Sequence, residues 1–399
     1  MEKKIVLVLL DACRGDYISM ENTPFLDKLS KDNRYYKSLV PGFGFCERTE
    51  ILVGKNTLES GYFTAFGRCF EKSPYKKFRL PLLFLETIEK LFSSIIISRL
   101  IRRFIWELVK NKDGSFYPFR IPLSKLSNFS LTEDGLGNLI TSSDESLYNV
   151  ASKVFRKGST SLDSKLIGSD QSRLNLVVKN INGPCDFFPT YVSILDSIGH
   201  KDGPHSMEMK KALGELDKKL EVFYNKLQVL ENPPVIVFCG DHGMSPIKET
   251  LNIKKIADKI FLNKSVSDHF DMFLDSTMAR FWFNNNIKTE MYHFKDLLEK
   301  NFKNKGVFLF QNEYEDYGIP NSNLYGDCIW ICNDGFLISP DFFTPSNKIL
   351  NGMHGYLPKS NQHYGFAIIA GKNVKKLQFL EPIPLKRIYY EIKFFFSCN

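Results

Sequence analysis

Acidic and histidine side chains follow apolar runs at three places in this 399-residue chain. The runs are VLVLL, YVSIL and VIVFCG, and the polar residues that follow them are Asp11, Asp196, His200, Asp241 and His242. His354, in GMHGY, precedes a further apolar run near the C-terminal end. Ligands in open α/β sheets bind beyond the carboxyl ends of the strands. We therefore predict that all of these side chains meet at one edge of a sheet.

A set of carboxylates and imidazoles indicates divalent metal binding. Mixed oxygen and nitrogen ligands suit zinc, whereas carboxylates alone suit magnesium or calcium. Two ions about 4 Å apart can hold both the attacking and the leaving oxygen of an in-line displacement at phosphorus. Any one of these residues alone is more often structural, because a single Asp commonly caps a helix. Together they predict a site for two divalent ions, with zinc first and manganese or magnesium as alternatives.

The elements that carry these residues have the pattern of an α/β fold. KIVLVLL is a continuous apolar run, typical of a central parallel strand that is covered on both faces. The α/β rhythm is predicted to resume with LNLVVKNI and with FFPTYVSIL, a strand that would run up to Asp196. A long helix from about Ser206 to Leu230 and the strand VIVFCG then complete a βαβ unit, which predicts a mostly parallel sheet.

Two segments depart from this alternation and predict insertions into a core domain. The first contains LPLLFLETIEKLFSSIIISRLIRRFIWELVK, which predicts one or two long helices with a cluster of Arg99, Arg102 and Arg103. Such basic, aromatic helices either lie in a membrane interface or, more commonly, pack on the parent core. The predicted ranges are 1–67, 173–267 and 346–399 for the core, 68–172 for a helical insertion or cap, and 268–345 for a small α+β cap.

Composition predicts a globular protein of a reducing compartment. The net charge of +8 is modest for this length and does not by itself indicate nucleic-acid binding. The eight cysteines form no CxxC pair, which argues against a disulfide framework. The first apolar run is too short for a signal peptide, and no run reaches the roughly 18 residues of a membrane-spanning helix. We expect a cytoplasmic protein, for which peripheral association with a membrane is an option. The sequence does not predict the oligomeric state.

The order of these motifs resembles that of the alkaline phosphatase superfamily, most closely its type I phosphodiesterase/nucleotide pyrophosphatase branch. The resemblance rests on Asp11, TPFLDKLSKDN, VGKNTLESG, LDSIGHKDGP, GDHGM and MHGY, in that order along the chain. It implies an α/β/α sandwich with a two-metal site. It further implies that Asp196, His200 and His354 hold one ion. The other ion would be held by Asp11, Asp241 and His242.

The nucleophile departs from the pattern of the family. Members carry a Thr, Ser or modified Cys ten residues before the glycine that ends the following helix, and here that position is Gly44. Cys46 takes the place if the loop is two residues shorter, and Thr49 is a second candidate. The third alternative is attack by hydroxide at the two-ion site, with Gly44 leaving room for it. Arg48 is predicted to grip a phosphoryl or sulfuryl oxygen.

The resemblance and the candidate site predict metal-dependent hydrolysis or transfer at a phosphodiester or pyrophosphate bond. The substrate class is a phosphate ester whose other part is a nucleotide base, a lipid-linked sugar or a lipid head group. A phosphotransferase or phosphomonoesterase on the same scaffold is an alternative, and a sulfatase is disfavoured because CERTE lacks the proline of the sulfatase motif. A catalytically degenerate metal-binding module, lacking the usual Thr or Ser, is the alternative from another class.

Overall fold

A computed structural model of the protein describes residues 4–112, 114–132, 140, 143–155, 168–261, 270–283, 288–344 and 348–397. The chain divides into two compact units. The first comprises Met1–Ser60, Gly137–Ile247 and Ile349–Asn399, and the second comprises Gly61–Leu136 and Lys248–Lys348.

The elements are numbered in chain order. The strands are β1 (Ile5–Leu10), β2 (Arg34–Val40), β3 (Phe66–Arg68), β4 (Phe129–Leu131), β5 (Phe187–Val192), β6 (Val235–Gly240), β7 (Ser245–Pro246), β8 (Glu249–Leu251), β9 (Phe270–Leu274), β10 (Met278–Phe283), β11 (Gly306–Phe310), β12 (Cys328–Cys332), β13 (Phe336–Ile338), β14 (Gly352–Met353), β15 (Gly365–Ala370), β16 (Leu377–Phe379) and β17 (Ile383–Pro384). The helices are α1 (Pro24–Asp32), α2 (Glu47–Val53), α3 (Thr57–Ser60), α4 (Arg79–Phe92), α5 (Ile95–Val109), α6 (Leu147–Val150), α7 (Asp170–Asn180), α8 (Ile194–Asp202), α9 (Met207–Gln228), α10 (Ile253–Phe261), α11 (Lys288–Asn301) and α12 (Arg387–Ser397).

The large sheet of the first unit confirms the predicted α/β fold. Within the described residues it has the order β16, β2, β15, β6, β1, β5, and β17 also pairs with β2. The central strand β1 is parallel to β5 and to β6, and β15 is antiparallel to its two neighbours. Leu10 lies opposite Val192 in β5 and Gly240 in β6. The carboxyl ends of these three strands therefore share one edge.

Burial explains why β1 is apolar throughout. All six of its residues are buried, and Val6, Val8 and Leu10 belong to a core that also contains Leu174 of α7 and Leu220 of α9. A strand covered on both faces has no solvent-facing positions, so its sequence does not alternate between apolar and polar residues.

The segment after β5 differs from the prediction. The strand ends at Val192 rather than running up to Asp196, and Asp196 and His200 both lie in α8. Ser193 already has helical backbone angles, with φ −113° and ψ 0°. The run YVSIL is short, and a short apolar run does not distinguish a strand from the start of a helix. LNLVVKNI likewise lies mainly in α7, which begins after the capping residue Ser169.

The second unit contains a four-stranded antiparallel sheet in the order β11, β12, β10, β9. Two helices of the predicted insertion, α4 and α5, form a hairpin whose turn places Ser93 in the left-handed region, with φ 45°. Among the helices of the described residues, none combines the length and the apolar character needed to cross a membrane.

The compact units divide the chain differently from the predicted ranges. The two predicted insertions contribute to one unit, which extends back to Gly61 and Lys248, while residues 137–172 group with the first unit. Strand pairing accounts for this difference, because β8 pairs with β13 and β3 pairs with β4. Such non-local pairs are not visible in local composition. The predicted limits at 267, 268, 345 and 346 lie outside the described residues.

Candidate metal centre

Six predicted side chains form two groups of three in the first unit. In each group the candidate ligand atoms lie within 4.8 Å of one another. We call Asp196, His200 and His354 the helix group, because its first two members are one turn apart on α8. We call Asp11, Asp241 and His242 the strand group, because these residues directly follow β1 and β6.

In the helix group, His200 is held by the backbone. Its Nδ1 lies 2.9 Å from the carbonyl oxygen of Gly352, and its Nε2 lies 3.1 Å from Oδ1 of Asp196. His354 follows β14 and places its Nε2 3.7 Å from the same carboxylate oxygen. The i and i+4 spacing puts the first two side chains on one face of the helix, where a single ion can reach both.

In the strand group, the sheet supplies the proximity. Nε2 of His242 lies 3.2 Å from Oδ1 of Asp11, and its Nδ1 lies 2.8 Å from the carbonyl oxygen of Gly243. Oδ1 of Asp241 accepts hydrogen bonds from the backbone N–H groups of Ala12, at 3.2 Å, and of His242, at 2.9 Å. Ala12 has φ 56°, a strained conformation for alanine beside a candidate ligand.

The two groups adjoin each other. The imidazole rings of His242 and His354 stack with their centroids 4.1 Å apart, and the ring of His200 lies 5.3 Å from that of His354. Phe45, from the glycine-rich loop before α2, packs edge-on against His354 at 5.9 Å. The predicted convergence at one edge is therefore present, and the loop that contains Gly44 borders it.

These residues fit divalent cations. In both His200 and His242 the carbonyl partner of Nδ1 requires a proton there, which leaves Nε2 facing carboxylates, the orientation of metal-binding histidines. Nδ1 of His354 is buried and has no hydrogen-bond partner among the described residues. Imidazole nitrogens and carboxylate oxygens are the ligands of zinc and similar ions. A cation within each group would satisfy imidazole nitrogens and carboxylate oxygens that otherwise face one another as acceptors.

The pKa values of the metal-free site reflect the same arrangement. Burial alone would lower the pKa of His242, but the charges of the carboxylates in its group raise it well above the ordinary value. The pKa of His200 is likewise raised, because the bond to Asp196 outweighs burial. Burial and the two other imidazoles hold the pKa of His354 well below its usual range. Burial raises the pKa of Asp241 to about 7. In the strand group, the raised pKa of His242 thus reflects negative charge that a bound cation would also neutralise.

Cys46, a predicted nucleophile, is fully buried directly before α2. Its Sγ lies 2.8 Å from Oγ1 of Thr57 and 3.6 Å from Oε1 of Glu50. Burial, and then the charges of Glu50 and Glu47, raise the pKa of the thiol far above its ordinary value. These contacts favour the neutral thiol, which is a weak nucleophile. Thr49, the other predicted candidate, is also fully buried. Neither role is established, and both remain predictions.

Arg48 lies on the side of the strand group. Its guanidinium is 5.8 Å from the centre of the Tyr191 ring, and the Tyr191 hydroxyl donates a hydrogen bond to Oδ2 of Asp11. The charge of Arg48 also opposes part of the rise that burial causes in the pKa of Asp241. The predicted grip of Arg48 on a phosphoryl oxygen stays a prediction.

Sequence reasoning missed two residues next to the strand group. Tyr191, the fifth residue of β5, supports Asp11. Glu47, the first residue of α2, interacts electrostatically with His242 and Asp11, and burial raises its pKa. Tyr191 could have been found from the sequence, because it lies in the apolar run that leads to Asp196 and thus close to the carboxyl edge of the sheet. Nothing local marked Glu47, because only the packing of its loop brings it there.

Solved structures with the same fold include murine and human ectonucleotide pyrophosphatase/phosphodiesterase 5. Each has a TM-score of 0.66 and 14% identity over 100% of this chain and 96% of theirs. Curated relatives include human GPI ethanolamine phosphate transferase 3, 38% identical over 64 residues, and a venom phosphodiesterase of Crotalus durissus collilineatus, 25% identical over 178 residues. These matches cover 16% and 43% of this chain, but only 6% and 20% of the relatives.

The fold and the two groups thus define an α/β protein with two adjoining candidate sites for divalent metal ions. Residues 126–357, more than half of the chain, match the type I phosphodiesterase / nucleotide pyrophosphatase family. The chain belongs to that family, as the motifs predict.

Proposed function

We propose that this protein hydrolyses a phosphodiester or pyrophosphate bond with the help of two divalent ions, zinc in the first place. The observation that supports this most directly is the pair of adjoining three-residue groups at the carboxyl ends of β1 and β6 and at α8. Family membership supports the same reaction class. Ions bound there would neutralise charge on the phosphoryl oxygens and acidify water.

The protein's own residues orient the reaction. The helix group and the strand group would each hold one ion, and Arg48 contributes a positive charge beside the strand group. Tyr191 donates to Asp11 and so keeps that carboxylate in one orientation. Preorganised charges of this kind lower barriers because they need no rearrangement when the transition state forms.

Water, rather than a side chain, is the nucleophile in this proposal. Gly44 stands where the resemblance to the family places the nucleophile, and it has no side chain to attack with. Its φ of 109° favours glycine, so the loop is shaped around the missing side chain. Cys46 Sγ is engaged with Thr57. Direct attack by water also predicts that no phosphoryl-enzyme accumulates during turnover.

The test combines metal analysis with hydrolysis assays. The purified protein is expected to bind about two zinc, manganese or magnesium ions and to hydrolyse bis-p-nitrophenyl phosphate or a nucleotide pyrophosphate. Cys46→Ala and Thr49→Val should retain turnover within about threefold of the parent, because water attacks. A loss of more than a hundredfold in either variant, with its fold and metal content intact, would establish a side-chain nucleophile instead.

Nucleotide substrates are the first to examine. The murine relative was solved with AMP, in an inactive threonine-to-alanine variant. We propose a nucleotide-containing diester or pyrophosphate as the initial probe for this chain. Its phosphate would face the helix group and the strand group.

Transfer to an alcohol is a second candidate. The human and murine GPI ethanolamine phosphate transferases 3 are 38% and 43% identical to this chain over short segments. These relatives are named as transferases, which supports transfer of a phosphate-containing group as the second candidate reaction. Added ethanol or a sugar alcohol should then yield a new phosphodiester faster than water yields the hydrolysed product, and product analysis by mass spectrometry separates the two reactions.

A further inference from the structure

The hairpin of α4 and α5 exposes an apolar face of unusual extent. Its members are spaced four or seven residues apart and include Leu80, Phe84, Leu91, Ile96, Leu100 and Phe104, with exposed fractions of 58–79%. We call these six residues the hairpin face. Surface apolar residues are normally scattered singly, so a cluster of large exposed apolar side chains on two adjacent helices indicates an interaction surface.

Two charged side chains of the hairpin point the other way, into its own unit. The guanidinium of Arg102 is buried, pairs with Glu89 at 2.9 Å and donates to the carbonyl oxygens of Phe119 and Ile121. Glu86 is also buried and accepts from the backbone N–H of Ser124 at 2.6 Å. The hairpin is therefore anchored to its own unit by these charged residues and by the buried Leu82, Ile105 and Val109, while the six residues of the hairpin face point outward. An ordinary surface helix has the opposite arrangement.

Positive charge surrounds this face. Residues 76–112 contain nine Lys or Arg and three Glu, so this segment alone holds six of the eight net positive charges of the chain. Arg99 and Arg103 are exposed on α5 next to Ile96, Leu100 and Phe104. An apolar face flanked by exposed cations is the pattern of helices that lie in the interface of an anionic membrane.

We propose that the hairpin face docks onto an anionic lipid bilayer, with its apolar side chains among the acyl chains and Arg99 and Arg103 at the head groups. A second copy of the chain is a poorer occupant. A symmetric dimer through this face would bring two identical patches together, and each carries a net charge of +6. The proposal does not rest on the proposed catalytic function.

The experiment is vesicle flotation of the full chain. Vesicles of phosphatidylcholine alone are compared with vesicles in which a quarter of the lipid is phosphatidylglycerol, at low and at high salt. Binding to the anionic vesicles should be at least about tenfold stronger, and it should weaken at high salt.

Two sets of variants distinguish the apolar and the charged contributions. Phe84→Ser/Leu100→Ser/Phe104→Ser should weaken binding to anionic vesicles about tenfold or more. Arg99→Glu/Arg103→Glu should do the same through charge. Matched controls on or next to α9 are Val222→Ser/Val229→Ser, with exposures of 53% and 82%, and Lys218→Glu/Lys219→Glu. The controls should bind as the parent does, and circular dichroism verifies that every variant is folded.

Depth of insertion gives an independent readout. Trp106 is replaced by Phe and Phe104 by Trp, so that position 104 alone reports from the hairpin face; the other tryptophans, Trp282 and Trp330, are buried. Brominated lipids should quench this residue. The proposal is overturned if the parent protein does not bind anionic vesicles or if the control variants lose as much binding as the hairpin variants. It is also overturned if brominated lipids do not quench the fluorescence of the tryptophan at position 104. It is also overturned if light scattering shows a dimer that the serine variant dissociates while lipid binding is unchanged.

Discussion

The helix group and the strand group use the same residue types but are assembled differently. Two members of the helix group, Asp196 and His200, are four residues apart on α8, with side chains 22% and 19% exposed. In the strand group, Asp11 lies 230 positions before Asp241, and the two meet because β1 and β6 pair in parallel register; the side chains of this group are 7–12% exposed. One group therefore depends on local helical geometry and the other on the whole sheet. The more buried group should hold its ion more tightly and exchange it more slowly.

The largest expected effect follows from removing Asp241. Asp241→Ala should lower turnover by about a thousandfold or more, since loss of an ion removes several kcal/mol of barrier lowering. It should also reduce the bound metal by about one ion per chain. Asp241→Asn keeps an acceptor for the backbone N–H groups of Ala12 and His242 and serves as the control for folding. Full metal content in both variants would contradict the assignment of the strand group.

Removing His200 should have a smaller effect. His200→Ala is expected to lower turnover about a hundredfold, equivalent to roughly 2.7 kcal/mol, because water can replace an imidazole in the more exposed group. Metal analysis should show loss from the helix group while the strand group stays occupied. Added imidazole should restore part of the activity. His293→Ala, on the exposed side of α11, is the matched control, and an equal loss there would refute the prediction.

A substitution at Gly352 tests whether its backbone carbonyl positions the imidazole of His200. A Cβ at this position would lie 2.4 Å from the carbonyl oxygen of Gly199, so the backbone of β14 or α8 must shift. Gly352→Ala should displace the carbonyl that holds Nδ1 of His200 and weaken ion binding by about tenfold. Isothermal titration of the metal-free protein measures this directly. Unchanged affinity would mean that the backbone carbonyl does not position His200.

The smallest expected effect is a pH dependence of stability. The pKa of His242 is raised above its ordinary value of 6.5 in the folded, metal-free protein. Its contribution to the free energy of unfolding is therefore full below pH 6.5 and is lost as the pH rises through the folded-state pKa. Metal binding displaces this proton, so the affinity for metal increases with pH. The difference in Tm between the metal-loaded and metal-free proteins should grow as pH rises from 6 to 9, and scanning calorimetry tests this. A difference in Tm that stays constant or shrinks with rising pH would contradict this prediction.

The accuracy of sequence reasoning differed between the two groups. Asp11, Asp241 and His242 follow continuous apolar strands, so their position at a sheet edge was predictable. The placement of Asp196 at the end of a strand was wrong, because YVSIL does not contain enough residues to separate the periods of strand and helix. The functional inference was unaffected, since Asp196 and His200 reach the same edge from α8. Glu47 and Tyr191 were not predicted, because their proximity arises from loop and strand packing.

The sequence by itself determined the family, the fold class and the six candidate ligands, because these depend on apolar runs and on polar residues placed in a fixed order. The tertiary structure alone decided which side chains face one another. It placed Cys46 against Thr57, Tyr191 against Asp11 and the six residues of the hairpin face toward solvent. The physical reason is that periodicity specifies which positions an element can bury, whereas the partner of each position is set by contacts between residues that are distant in the chain.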